Sequence, residues 1–332
     1  MHAISKLSRR HFVLKGLSWG SWTGVLGSVT ASAQEFPSRP VRILVPYAAG
    51  GTSDAAARLI TEPLSRQLGQ SVYVENRGGA GGLSGTEAFF ALPPDGYTLL
   101  LGAVGTLVII PTIKQVSYNP LADLVPLGSI WRSPQLLAAH PKLGVKTISE
   151  LKAYAAQRPG TLTIGSAGVG SLTHLALELF KREAEIDLIH VPFRSTGGTL
   201  PALLGGQIEL MFGDVALLNS HVRGGALNAL AIAAPRRSNL LPDLVTIAEA
   251  GLPKVQAENW YGLLISVRTP APVASRLQAA FEAAQRDPAY IESVNRQGIT
   301  AGEAGRAAFT ELMHDETRKW QPILSAPGFK IE

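Results

Sequence analysis

Along the chain, short continuous apolar runs alternate with segments in which the apolar residues have helical spacing. The run at 41–45 is typical of a buried strand, and apolar residues spaced three and four apart between Ala56 and Leu68 predict a helix that stops at Gly69. Strands followed by helices along a chain indicate an α/β fold with mainly parallel sheets. Further strands are predicted at 72–75, 98–102, 161–164, 188–191, 207–212, 227–233 and 261–267.

Two of the strand-to-helix connections are rich in glycine and hydroxyl side chains. The first covers 46–54 and the second covers 165–171, where Ser171 is a good N-cap for a helix over 172–180. The first N–H groups of a helix have no intrahelical partner and the helix dipole favours negative charge there, so both loops suit an anion. A tight turn that uses glycine only for its backbone freedom is the alternative. The presence of two such loops favours the anion.

The first 33 residues have the pattern of an export signal. Arg9 and Arg10 lie in a stretch close to the twin-arginine pattern, residues 16–30 are moderately apolar, and Ala31-Ser32-Ala33 is typical of a cleavage site. We therefore expect a mature chain that begins at Gln34 in the periplasm; a short amphipathic anchor helix is the alternative. No later stretch approaches the roughly 18–20 apolar residues that a membrane-spanning helix needs.

Composition excludes several classes of function. The net charge is +5, but residues 1–33 contain four basic residues and no acid, so the mature chain carries about +1. No basic stripe remains that would suggest a nucleic-acid partner. The chain has no cysteine, which excludes disulfides, a thiolate nucleophile and a Cys-ligated zinc site.

No group of residues has the spacing of a known catalytic or cofactor motif. The 165–171 loop lacks the third glycine of a dinucleotide fingerprint and the lysine of a Walker loop, and no Gly-x-Ser-x-Gly sequence occurs. His174 and Glu178 lie four apart, which is more typical of a helix-surface contact than of half a metal site. We predict no catalytic residue, no metal and no cofactor. A secreted α/β enzyme that acts on a small organic acid, with Asp54 or His174 in its cleft, is the alternative.

An ordered series of short motifs extends over nearly the whole mature chain. It includes Phe36-Pro37, Ala49-Gly50-Gly51 with Asp54, Glu75-Asn76-Arg77, Pro94-Asp95-Gly96-Tyr97, Gly170-Ser171 with His174, Val191-Pro192-Phe193, Leu204-Gly205-Gly206-Gln207, Trp260-Tyr261-Gly262 and Lys319-Trp320. This series resembles the tripartite tricarboxylate transporter receptors, also known as the Bug family of periplasmic solute-binding proteins.

The resemblance implies a two-lobed, type II-like periplasmic binding protein whose ligand cleft lies between two α/β lobes. Together with the helical sequence after 260, it predicts lobe 1 at 34–134 plus 258–332 and lobe 2 at 135–257. The implied function is that of a monomeric receptor. It captures a small organic anion by its carboxylate for a membrane permease of the tripartite type, or for signalling.

The resemblance also assigns ligand-binding positions to both lobes. The usual tyrosine after Val-Pro is Phe193 in this chain, and the acid that normally follows Met-Phe comes one place late, as Asp214, so the far end of the site differs from the family pattern. The implied positions are Tyr47, Gly50, Gly51, Thr52 and Asp54 in lobe 1, Ser166, Gly170, Ser171 and His174 in lobe 2, and Phe193 and Asp214 at the far end.

Overall fold

The computed structural model describes residues 36–297, 299–302 and 305–326, and strands alternate with helices along most of this length. The export signal predicted at 1–33 lies outside the described residues. The strands are β1 (Val41–Val45), β2 (Val72–Asn76), β3 (Thr98–Ala103), β4 (Leu124–Ala139), β5 (Thr163–Ser166), β6 (Ile189–Pro192), β7 (Leu210–Asp214), β8 (Asn228–Ala233), β9 (Glu258–Ser266) and β10 (Thr300–Ala301).

Helices follow most of the strands, and three of them form the C-terminal part of the described chain. A π-helical turn, Gly105–Ile109, precedes the third helix. The α-helices are α1 (Thr52–Leu68), α2 (Leu83–Phe90), α3 (Ile110–Ile113), α4 (Pro120–Asp123), α5 (Ile148–Ala156), α6 (Leu172–Ala184), α7 (Thr196–Leu204), α8 (Val215–Arg223), α9 (Ala271–Gln285), α10 (Pro288–Gln297) and α11 (Arg306–Leu324).

The strands form a mixed sheet in the order β2-β1-β3-β9-β4-β7-β5-β6, with β8 and β10 also paired to β4. The outer strands are parallel, as predicted: β1 pairs with β2 and β3, and β5 pairs with β6 and β7. The central strands are antiparallel, because β9 runs against β3 and β4 runs against all four of its neighbours. The α/β class is confirmed, and the expectation of parallel pairing holds only away from the centre.

Strand β4 joins the two halves of the sheet and was not predicted. Its first half pairs with β9 and β10 and its second half with β7 and β8, and the partners change between Pro134 and Gln135. Pro126, Gly128 and Pro134 interrupt its apolar pattern, and the register shifts near the first two. Because proline cannot donate a ladder hydrogen bond, these residues argued against a central strand. The lobe boundaries given above stay a prediction.

Helices cover both faces of the sheet. Along β1, Ile43 and Val45 belong to one buried cluster and Leu44 to another, because successive side chains of a strand point to opposite faces. Residues of α1, α9 and α10 complete the first cluster, and residues of α6 and α11 belong to the second. In the described ranges, no helix combines the length and the apolar character that crossing a bilayer requires.

Candidate functional site

A small cavity lies beyond the ends of β1, β5, β6 and β7. Its volume is about 20 Å³, and a cavity of that size holds about one water molecule. The lining is mostly polar and comes from both halves of the sheet: Tyr47, Gly51, Ser53, Gly105, Ala167, Ser171, Leu172, Thr173, Ser195, Thr196, Asp214, Asn259 and Tyr261.

The N-terminus of α1 forms one side of the cavity. Gly51 is the N-cap of this helix, and it supplies no side-chain cap. The N–H groups of Gly51 and Ser53 have no hydrogen-bond partner among the described residues, whereas the N–H of Thr52 donates to the Thr196 hydroxyl at 3.3 Å. Two donors of the first turn therefore remain available at the cavity wall.

Asp54 holds the first loop in place from behind the wall. Its Oδ2 accepts hydrogen bonds from the Gly50 N–H at 3.2 Å and from Arg58 Nε at 3.0 Å. Burial raises the pKa of the Asp54 carboxyl, but the bonds from Arg58 and Gly50 outweigh burial and hold that pKa below its usual value. Asp54 does not line the cavity, so in this conformation it positions the loop.

The N-terminus of α6 faces that of α1. Ser171 is its N-cap, as predicted, and the Ser171 hydroxyl accepts a hydrogen bond from the His174 N–H at 3.3 Å. The N–H groups of Leu172 and Thr173, two residues that line the cavity, have no partner in the part of the chain that the structure describes. This helix therefore also presents two free donors.

Other N–H groups of the second loop are already used inside the protein. The Gly168 N–H donates to the Ser166 hydroxyl at 3.1 Å, and the Gly170 N–H donates to His174 Nδ1 at 3.2 Å. Because that nitrogen accepts a hydrogen bond, His174 carries its proton on Nε2. Its Nδ1 lone pair is therefore not available as a base for Ser171.

His174 stacks on a second histidine that the sequence did not connect with the site. The rings of His174 and His190 lie 4.0 Å apart, and His190 Nε2 lies 2.7 Å from the Ser166 hydroxyl. Burial lowers the pKa of His174 to about 3, with a further contribution from His190, and burial lowers the pKa of His190 to about 4. Both rings are neutral at pH 7. The spacing of His174 from Glu178 had suggested a position on the helix surface. His174 is instead buried, with 1% of its surface exposed.

A third helix N-terminus, that of α7, completes this end of the cavity. Ser195 and Thr196 are buried and line it, and the Thr196 hydroxyl accepts the bond from Thr52 described above. The sequence analysis did not assign these residues. Their signal was the same strand, polar loop and helix pattern that marked the other two loops, but with the glycines after the hydroxyl residues.

A buried carboxylate forms the opposite end of the cavity. Asp214, the last residue of β7, is 1% exposed, and its two oxygens accept hydrogen bonds from Gln135 Nε2 and from the Tyr261 hydroxyl, each at 3.1 Å. The Tyr261 hydroxyl in turn accepts from Asn259 Nδ2 at 2.6 Å. Burial raises the pKa of Asp214 to about 6. Burial also raises the pKa of Tyr47 and of Tyr261, so both are neutral phenols.

The structure separates the eleven predicted positions into two groups. Four of them line the cavity: Tyr47, Gly51, Ser171 and Asp214. Seven lie behind its wall in this conformation, and ligand contact by these residues stays a prediction: Gly50, Thr52, Asp54, Ser166, Gly170, His174 and Phe193.

Glycines bring the two sides of the site into backbone contact. A Cβ on Gly197 would lie 2.5 Å from the carbonyl carbon of Gly50, and a Cβ on Gly81 would lie 2.0 Å from the carbonyl oxygen of Val169. Either distance is shorter than any real Cβ contact. The closed arrangement therefore depends on the absence of side chains at these two positions.

The arrangement suits binding better than catalysis. Free backbone donors at two facing helix N-termini attract negative charge. No group of three histidine or acidic side chains that could hold a metal ion occurs in residues 36–297, 299–302 and 305–326.

The sequence is similar to one family of binding proteins. The family model described as "Tripartite tricarboxylate transporter family receptor" matches residues 56–329. The protein BugT of Bordetella pertussis is 33% identical over 307 residues, which is 91% of this chain and 93% of BugT.

Solved structures give the same result for the fold. MatC from Rhodopseudomonas palustris, solved with bound malate, has a TM-score of 0.83 and 32% identity, and the match covers 87% of this chain and 100% of MatC. A second R. palustris protein, solved with adipate, has a TM-score of 0.82 and 29% identity, covering 87% and 97% of the two chains. These similarities confirm the two-lobed binding-protein fold and do not favour the enzyme alternative.

Proposed function

Because this chain belongs to the tripartite tricarboxylate transporter receptor family, we propose that it binds a small organic anion outside the cytoplasm through a carboxylate group. One observation carries the proposal. The unpaired N–H groups at the starts of α1 and α6 belong to Gly51, Ser53, Leu172 and Thr173, and all four residues line the same cavity.

The physical basis is a concentration of partial positive charge without a basic side chain. Each helix N-terminus carries the equivalent of about half a positive charge. Hydrogen bonds to a charged group are worth roughly 1.5–3 kcal/mol each. Several such bonds could give micromolar affinity or better, after the cost of ordering the site.

Binding requires the two sides of the site to separate. A cavity of about 20 Å³ is too small for an organic acid. The bond from Thr52 to Thr196 and the contact between Gly50 and Gly197 join the two sides directly. We infer that the ligand enters an open form and that the lobes then close on it by a hinge motion. The crossing of β4 near Pro134 and Gln135 is the proposed hinge.

The test compares an acid with its amide. Mass spectrometry of the material that co-purifies with the exported protein identifies the ligand, and calorimetry then measures the affinity of that acid and of the corresponding amide. We expect the amide to bind more than tenfold more weakly, because the helix N-termini favour negative charge. Equal affinities would show that the site recognises shape rather than charge.

Export by the twin-arginine route, with cleavage after Ala33, is part of the proposal. A periplasmic location is supported by the family and by the structural match to the periplasmic binding protein BugD. Replacing Arg9 and Arg10 by lysine is expected to leave the precursor in the cytoplasm. Unchanged export that needs the general secretory motor would contradict the proposed route.

The proposed partner is a membrane permease of the tripartite type, to which a monomeric receptor delivers its ligand. The family description supports a transporter partner. Co-expression with a candidate permease and measurement of uptake of the identified ligand tests this step. Uptake that does not depend on the receptor would instead favour a role in signalling.

A further inference from the structure

Asp214 presents a chemical problem in a site that binds an anion. Its carboxylate forms part of the wall of the same small cavity that the helix N-termini border. A ligand carboxylate held by those N-termini therefore comes close to a second, buried carboxylate. Like charges in a poorly hydrated site repel strongly, unless something between them donates hydrogen bonds.

The surrounding hydrogen bonds favour the ionised form of Asp214. Gln135 Nε2 can only donate, and it points at one carboxylate oxygen. The Tyr261 hydroxyl already accepts from Asn259, so its own proton is directed to the other oxygen of Asp214. Gln135 thus directs one donor at the carboxylate, and the chain from Asn259 through Tyr261 directs a second.

This chain leaves Asp214 able to accept one more hydrogen bond and unable to offer one. An ionised carboxylate has about four acceptor sites. Gln135 and Tyr261 use two of them, and the Thr52 hydroxyl at the start of α1 also interacts with the carboxylate. A hydroxyl or ammonium group of a ligand can fill a free acceptor site on the cavity side. If a ligand has no such group, its carboxylate and that of Asp214 lie close together with no donor between them.

Resting on the proposed function, we infer that Asp214 selects carboxylates with a hydrogen-bond donor on the adjacent carbon, that is, α-hydroxy or α-amino acids. The carboxylate lies at the N-termini of α1 and α6, and the hydroxyl or ammonium group donates to Asp214. The donor must be close to the ligand carboxylate, at the α position, because the first turn of α1 adjoins Asp214: the Thr52 hydroxyl interacts with the Asp214 carboxylate.

The experiment uses pairs of acids with and without the donor. The pairs are lactate and propionate, malate and succinate, and aspartate and succinate, each measured by calorimetry at pH 7.5 on the mature protein after removal of co-purified ligand. In the pairs that bind, we expect the member with the donor to bind at least tenfold more tightly. In Asp214→Asn, that ratio should fall below about threefold, because an amide can donate as well as accept.

Fluorinated acids provide a test that needs no variant. In 2-fluoropropionate and fluorosuccinate, fluorine replaces the hydroxyl of lactate and malate with similar size but no donor hydrogen. They should bind like propionate and succinate. This measurement decides the question even if Asp214→Asn does not fold.

The outcomes separate this inference from the proposed function. If propionate or succinate binds as tightly as its donor-bearing partner, selection by Asp214 is wrong and carboxylate binding stands. If lactate and its fluorinated analogue bind equally, the donor has no role and the inference is again wrong. If no acid of any pair binds and no carboxylate co-purifies, the proposed function fails and this inference fails with it.

Discussion

The chemistry of the site depends on which backbone N–H groups the protein leaves unused. In the second loop, the Ser166 hydroxyl accepts the hydrogen bond of the Gly168 N–H, and the His174 ring accepts that of the Gly170 N–H. The donors of Leu172 and Thr173, one turn further on, remain free. The residues behind the wall therefore fix the loop so that the free N–H donors on this side of the cavity lie in the first turn of α6.

Ser171→Ala should lower both stability and affinity. The Ser171 hydroxyl caps α6 through the His174 N–H, and loss of such a cap costs about 1 kcal/mol. We expect the affinity for the identified acid to fall by about tenfold, because Ser171 also lines the cavity. Urea denaturation and calorimetry measure the two effects.

Ser171→Gly is the matched control for this prediction. Glycine at an N-cap costs only a few tenths of a kcal/mol relative to serine, so this variant removes the hydroxyl with little loss of stability. An affinity that falls in both variants indicates contact between the hydroxyl and the ligand. An affinity that is normal in Ser171→Gly would show that the hydroxyl only caps the helix.

At the level of elements, three helix N-termini meet at the cavity, and α7 approaches α1 most closely. The start of α7 contacts the first loop through Gly197 and through the Thr196 hydroxyl. Closure of the site therefore brings two helix starts into direct backbone contact.

Gly197→Ala should impair closure without impairing folding. The added Cβ would lie 2.5 Å from the carbonyl carbon of Gly50 and 2.7 Å from the N atom of Gly51, and neither backbone atom can rotate away. Within α7 itself alanine is favoured over glycine by up to about 1 kcal/mol. We expect ligand affinity to fall at least tenfold while the thermal unfolding temperature is unchanged or higher.

The neighbouring glycine provides the control. A Cβ on Gly198 would meet only Phe193, at 3.8 Å, which is an ordinary contact. Gly198→Ala is in the same helix and gains the same helix propensity, so its affinity should remain near that of the wild type. Equal loss of affinity in both variants would contradict the role assigned to the contact between Gly197 and Gly50.

Local signals explain what could be predicted of these elements. The two glycine loops, the N-cap Ser171 and strands such as β1 and β2 were predicted, because their apolar spacing and cap chemistry lie within a few adjacent residues. Strand β4 was missed, because its prolines break the alternation and only its four paired neighbours hold it in the sheet.

Other parts of the site depend on contacts between distant segments. Gln135, Asp214 and Tyr261 meet only because β4 pairs with both β7 and β9. His174 and His190 come together through the packing of α6 against the sheet. No spacing along the chain encodes these contacts, so the sequence could identify Asp214 and His174 as candidates but not their partners.

For the whole molecule, protonation of the buried acid and of the buried histidines has opposite effects on how stability changes with pH. The folded-state pKa values of His174 and His190, about 3 and about 4, lie below the ordinary 6.5, so stability falls as the pH decreases from 6.5 towards 4. The folded-state pKa of Asp214, about 6, lies above the ordinary 3.8, so its contribution rises over the same range as the pH decreases. Between about pH 5 and 6 the unfolded chain therefore binds roughly one proton more than the folded protein.

Asp214→Asn should therefore steepen the pH dependence of stability. Each proton contributes about 1.4 kcal/mol per pH unit. We expect the free energy of unfolding to fall by about 1.4 kcal/mol per pH unit in the wild type between pH 6 and 5, and by about twice that in Asp214→Asn. Urea denaturation at several pH values measures both slopes.

His190→Gln is the complementary variant. It removes one of the two histidine protons, so its slope between pH 6 and 5 should be close to zero. The same slope in the wild type and in Asp214→Asn would show that Asp214 is not protonated in the folded protein at pH 5.

The aromatic pair beside Asp214 suggests that ligand binding can be measured by tryptophan fluorescence. Trp19 and Trp22 precede the predicted cleavage site, so the mature chain keeps Trp131, Trp260 and Trp320, all of them buried. Trp131 packs edge-to-face on Tyr261, with ring centroids 5.7 Å apart, and the hydroxyl of that tyrosine contacts the acid at the end of the cavity. Indole emission responds to its immediate surroundings. We therefore expect the intrinsic tryptophan fluorescence of the protein to change when the ligand binds, so that occupancy of the site can be followed without a label.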